Sequence, residues 1–168
     1  MELEDRVSAL EARLTELTAR LGASPSTDPS APRADMYWAL DGLRSRVAEV
    51  EGGAVLFTGT VDLPTGEHYD WQYGTPVEAL MDDDWAPWAG TLGALGHPVR
   101  LLLLHRVLAG VRTAADLATE EGFGTTGQLY HHLRQLVSAG WLHAARGQYA
   151  VPGERVVPLL VILSGARR

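Results

Sequence analysis

Residues 125–141, TTGQLYHHLRQLVSAGW, carry the reading on which the rest of the chain turns. Thr125 is expected to be a helix N-cap, its hydroxyl accepting from one of the orphan N–H groups of the first turn. Leu129, Leu133, Leu136 and Val137 then recur at helical spacing and form one apolar stripe. Gly140 stands where a helix places its left-handed C′ residue. The other face holds Thr126, Gln128, Tyr130, His131 and Arg134, all hydrogen-bonding and none acidic. Such a face suits a DNA major groove, where Arg reads guanine and Gln reads adenine. It suits an ordinary amphipathic surface helix as well, so the neighbouring segments must decide.

Immediately upstream, GFG (122–124) is a tight turn, and TAADLATEEG (113–122) is a short helix capped by Thr113 with Leu117 inward. Before it, TLGALGHPVRLLLLHRVLAG gives a short helix, a break at Gly96-His97-Pro98, and a helix from Pro98 at N1 to Ala109. Leucines at 101–104 make that helix apolar nearly all round, as a central helix must be. Downstream, WLHAA, a turn at Arg146-Gly147 and QYAV form a hairpin with Arg146 at its tip. Pro152 opens a final apolar helix, GERVVPLLVILSGA, in which Pro158 is expected to make a kink.

Three helices, a tight turn and then a hairpin follow the order of a winged helix-turn-helix. ALGHPVRLLLL resembles the opening of the ArsR-type winged-helix repressors, TAADLA their first helix-turn-helix element, and GQLYHHLRQLVSAGWL their recognition helix. The resemblance runs from about Leu92 to Ala166, under half the chain. It implies a dimeric DNA-binding regulator in which Thr125, Thr126, Gln128, Tyr130, His131 and Arg134 approach base edges and nearby phosphates. By the same resemblance His131 faces DNA and His132 leans toward the core, while Arg146 and Gln148 on the wing meet the flanking backbone or minor groove. One departure stands out. Metal-sensing members carry Cys on the first helix-turn-helix element, or His and acidic ligands on the last helix. TAADLA and GERVVPLLVILSGA contain neither Cys nor His, so no metal site and no cofactor is expected.

The N-terminal half lies outside that resemblance. Leu3, Val7, Leu10, Leu14, Leu17 and Leu21 alternate steps of four and three, an a/d seam that predicts a self-associating coiled-coil helix over 1–22. Residues 23–34, within ASPSTDPSAPR and its flank, read as a flexible linker. Residues 35–91 are expected to form a separate dimer or effector unit. It begins with a helix from an Asp35 cap to about Glu51, on Met36, Leu40, Leu43, Val47 and Val50. AVLFTGTV (54–61) and EHYDWQYG (67–74), joined by a Pro64/Gly66 turn, are a second hairpin. Tyr69, Trp71 and Tyr73 alternate on one of its faces, with His68 and Asp70 on the other. TPVEALMDDDWAPWAG (75–90) adds a short helix and a turn. Trp38, Tyr69, Trp71, Tyr73, Trp85 and Trp88 are candidate walls of a ligand pocket; ordinary core packing of the aromatics is the competing reading.

The fold class expected is therefore α+β, mainly helical: a winged helix-turn-helix over 92–168 with an N-terminal coiled-coil helix and an extra aromatic hairpin. The net charge of −7 divides unevenly: residues 92–168 hold eight arginines against four carboxylates, a net of +4, and residues 1–91 hold −11. A polyanion would meet the C-terminal half. Every basic residue is Arg, suited to fork-like phosphate and base contacts. The absence of Cys removes disulfides and thiolate metal sites. No apolar run reaches the ~18 residues of a membrane span, and the heptad-patterned start has no signal-peptide core, so a cytoplasmic protein is expected. Nothing resembles a Ser/His/Asp set, a phosphate loop or paired catalytic carboxylates, so catalysis is not expected. The expected partners are double-stranded DNA, a second copy of the chain through the heptads, the final helix or both, and a small-molecule or protein effector. The alternative is a winged-helix interaction or architectural protein assembled through its coiled coil.

Overall fold

The computed structural model describes residue 13 and residues 37–167, which divide into two units between Glu49 and Val50. The heptad positions Leu3, Val7, Leu10, Leu14, Leu17 and Leu21, the linker and the Asp35 cap lie outside the described residues. The described part is α+β, with seven helices and two antiparallel hairpins. None of these helices is long and apolar enough to cross a membrane.

In the first unit, α1 spans Trp38–Arg46 and is shorter than the predicted helix to Glu51. Near its end the Ser45 hydroxyl (2.9 Å) and the Arg46 guanidinium (2.8 Å) both donate to the Gly42 carbonyl. Side chains that bond nearby carbonyls compete with the continuing helical ladder. None of its residues is fully buried.

The second unit begins with β1 (Ala54–Asp62) and β2 (His68–Pro76), paired so that Phe57 faces Tyr73, Gly59 faces Trp71 and Val61 faces Tyr69. Period-two alternation puts these six residues on one side of the hairpin. The last helix, α7 (Gly153–Gly165), packs on both strands and meets this side at Gly59 and Tyr69, leaving Tyr73 exposed. The approach is close: a Cβ at Gly59 would stand 2.8 Å from Val157 Cγ1, and one at Gly153 would stand 3.0 Å from the Tyr69 ring. The division predicted at residue 91 is therefore crossed by direct packing, and the hairpin belongs with the C-terminal helices. Pro158 sits inside α7 without ending it.

Between these lie α2 (Val77–Asp82), α3 (Trp88–Leu95), α4 (Pro98–Leu108), α5 (Ala114–Ala118), α6 (Thr126–Ser138), and the short strands β3 (His143–Ala145) and β4 (Gln148–Ala150). Pro98 occupies the first turn of α4, where its missing N–H costs nothing. Leu103, Leu104 and Val107 of α4 are buried with Leu117 of α5, Leu129, Leu133 and Leu136 of α6, and Val156 and Leu159 of α7. Trp141 closes this core; its indole N–H donates to the Thr91 carbonyl at 2.8 Å, and the Arg155 guanidinium lies 5.1 Å from its ring centre. Phe123, in the turn before α6, is buried as well.

The hairpin is tied to the helices a second time through its turn. Glu67 accepts from the Thr65 hydroxyl and from the Arg112 guanidinium, both at 2.5 Å. These two hydrogen bonds hold its carboxyl below the usual carboxylate range. Arg112 also offers its carbonyl to the Tyr149 N–H at 2.7 Å, so one residue joins the β1–β2 turn to β4. Replacing Gly59 with Ala should force the stiff, β-branched Val157 aside and cost about 1–3 kcal/mol. Urea unfolding would show this as a lower midpoint at unchanged slope; an unchanged midpoint would mean that the hairpin and α7 are not jointly required.

Candidate nucleic-acid interface

Helix α6 begins as its sequence requires. The Thr125 hydroxyl accepts from the Gln128 N–H (3.3 Å) and the Gln128 side-chain oxygen accepts from the Thr125 N–H (2.8 Å), a reciprocal capping box. The T-x-x-Q spacing of residues 125–128 announces this box. In the folded chain the oxygen of Gln128 is therefore engaged at the cap, accepting from the Thr125 N–H and hydroxyl. The helix closes at Gly140, whose φ of +73° is the expected left-handed C′ conformation.

Leu129, Leu133 and Leu136 are the buried edge of α6. Val137, predicted to continue that stripe, is exposed: it lies about 100° round the helix from Leu136, on the solvent side. On the outer surface Thr126, Tyr130 and Arg134 follow one another at four-residue steps and so line a single ridge, with His131 beside it. All four are exposed. A Cβ at Gly127, in the same first turn, would meet nothing within 4 Å, so this part of the face is open. His132, by contrast, is half-buried and turned toward α4.

Beyond α6 the chain enters the β3–β4 hairpin, paired from His143 with Ala150 to Ala145 with Gln148. Its tip is Arg146-Gly147, both with positive φ (53° and 78°), the twist that a two-residue hairpin turn needs. Arg146 and Gln148 are exposed. The backbone of Gln148 also bridges to Thr113, just ahead of α5, so the hairpin base is fixed to the helices. Thr113 caps α5, its hydroxyl accepting from the Asp116 N–H at 3.1 Å.

The six aromatics proposed as pocket walls are distributed differently. Tyr69 and Trp71 are half-buried on the hairpin face that α7 meets. Tyr73 is 55 % exposed beside Phe57, with ring centres 5.9 Å apart. Trp85 and Trp88 stack on each other at 6.4 Å and stay largely open to solvent, and Trp38 belongs to the first unit. A cleft of about 370 Å³ does exist, but it lies along α3, bordered by Thr91, Arg100, Gln135 and Ser138, and none of the six aromatics lines it. Alternation in β2 showed which side chains share a face; it carried no information on what covers that face.

Among the described residues no group of three or more His, Asp or Glu side chains is arranged to hold a metal ion. His68 is clamped between Asp62 (2.7 Å) and Asp70 (3.1 Å) on the outer face of the hairpin, and these hydrogen bonds raise its pKa above the ordinary histidine value. Compared with protein-family models, with curated proteins and with solved structures, the chain matches none.

The cap geometry changes what a substitution at Gln128 should do. Gln128→Ala removes one half of the capping box and should lower stability by about 0.3–1.5 kcal/mol. A thermal melt checks this; an unaltered midpoint would show that Gln128 is free to serve another role.

Proposed function

We propose that this chain is a sequence-specific DNA-binding transcriptional regulator of the winged-helix kind, acting as a dimer. The observation that carries the reading is the outer ridge of α6. Thr126, Tyr130, His131 and Arg134 are exposed together, without an acidic neighbour on that helix, while the opposite edge is anchored in the core. A helix presented in this way offers its first three turns to a major groove. Arg134 supplies a guanine-reading fork, and Tyr130 and His131 supply base or phosphate contacts. Arg146, at the tip of the β3–β4 hairpin, supplies a flanking phosphate or minor-groove contact. The net charge of +4 over residues 92–168 supports the same orientation.

In this reading Thr125 and Gln128 set the start of the recognition helix and so position the other side chains. A C2 dimer would place two such helices about 34 Å apart on a pseudo-palindromic site. The heptad positions and α7 are the surfaces proposed to make it.

A second reading is an interaction or architectural protein assembled through the N-terminal heptads. The stacked, exposed Trp85–Trp88 pair and the acidic N-terminal half favour it, since exposed aromatics are frequent anchors of protein interfaces. A selection from random duplexes separates the two. Enrichment of a pseudo-palindrome supports the regulator, whereas no enrichment at low salt supports the interaction protein. On the selected site Arg134→Ala should weaken binding by about 1–3 kcal/mol and leave the melting temperature unchanged. Loss of fold in that variant would assign Arg134 to the core instead.

A further inference from the structure

Three of the chain's six histidines meet where α4 begins and α6 passes over it. His97 is the N-cap of α4, and its Nδ1 accepts from the Val99 N–H at 3.2 Å. That bond requires a lone pair on Nδ1, so the cap exists only while His97 is neutral with its proton on Nε2. The His97 ring lies 4.5 Å from the ring of His132 on α6, and His131 lies 5.6 Å from His132 on the other side. The Nδ1 atom of His132 is buried and has no hydrogen-bond partner. Arg100, one turn into α4, adds a fixed positive charge; its guanidinium donates to the carbonyls of Ala94 and Gly93 at the end of α3. Among the described residues no carboxylate is ion-paired with any of these four side chains.

A proton arriving here meets three obstacles together. It removes the acceptor that caps α4 if it lands on His97. It places charge beside Arg100 and a second imidazole, with no anion to offset it. And on His132 it charges a group half-withdrawn from water. We infer that the His97–His131–His132 cluster is a proton-operated latch, which seats α6 on the start of α4 while neutral and loosens that seating when the cluster is protonated. If the proposed function holds, the latch makes the placement of Tyr130, His131 and Arg134 dependent on pH; the latch itself does not rest on that reading.

The sign follows from linkage. Burial, joined by His97, His131 and Arg100, holds His132 below its ordinary value of 6.5 in the folded protein. The unfolded chain therefore binds more protons as pH falls through that range. The contribution is complete above about 6.5 and is lost progressively as pH drops toward the folded value. His68 works in the opposite direction, since its two carboxylate partners favour its charged form.

The test uses the full chain. Histidine ring resonances are followed by NMR from pH 8 to pH 5 in the wild type and in His97→Asn, which keeps a capping side chain but cannot titrate. The latch predicts a His132 midpoint below the ordinary histidine value that rises when His97 is replaced. Thermal melts at the two ends of that range add a second readout. The fall in melting temperature on acidification should be at least twice as large in the wild type as in the His97→Asn/His132→Gln double variant. The His68 contribution is common to both proteins and cancels in that comparison. An ordinary His132 midpoint, a midpoint indifferent to His97→Asn, or an equal acid loss in the wild type and a folded double variant would each overturn the proposal. If the double variant does not fold at neutral pH, the wild-type and His97→Asn titrations decide alone.

Discussion

The seating of α6 on α4 is the contact on which the rest of this structure depends. Leu129, Leu133 and Leu136 enter the same core as Leu103, Leu104 and Val107, and each apolar side chain so buried contributes roughly 1.5–3 kcal/mol relative to exposure. Because the three leucines occupy one edge of α6, their burial fixes the rotation of the helix about its axis. Thr126, Tyr130, His131 and Arg134 are then exposed as a geometric consequence. The capping box at Thr125 and Gln128 fixes where the helix starts, and Gly140 fixes where the chain leaves it. Direction, rotation and limits of the polar ridge all follow from these local choices.

Around that pair the molecule is braced by long-range contacts. α7 packs on the first hairpin with Val157 against Gly59 and at the same time delivers Val156 and Leu159 to the helical core. Arg112 joins the turn of the first hairpin to β4 through a carboxylate on one side and a backbone carbonyl on the other. The aromatic hairpin is thus a structural neighbour of the helix-turn-hairpin segment that carries the candidate interface.

Much of the fold was legible because its signals are local. Thr125, Pro98 and Thr113 mark helix starts, Gly140 marks an end, and Arg146-Gly147 marks a turn, each through chemistry confined to a few residues. The two hairpins were legible from alternation and turn residues. What the sequence did not disclose is non-local. Nothing near Gly59 announces Val157, almost a hundred positions away, so local signals alone place the hairpin in a separate unit. Trp71 shares a chemical character with the stacked Trp85–Trp88 pair without sharing its place. Gln128 is ambiguous for a different reason: its amide suits both a cap and a base contact, and only the folded geometry shows that its oxygen accepts from Thr125.

The most direct test of the central claim, that the outer ridge of α6 is a DNA-reading surface, is a backbone amide NMR titration with a short duplex carrying the selected site. If the ridge reads DNA, the largest shifts fall on residues 125–134 and 145–148 and diminish as salt is raised, because phosphate contacts release counterions. Shifts confined to the first hairpin or the Trp85–Trp88 region, or no shifts with any duplex at low salt, would contradict it.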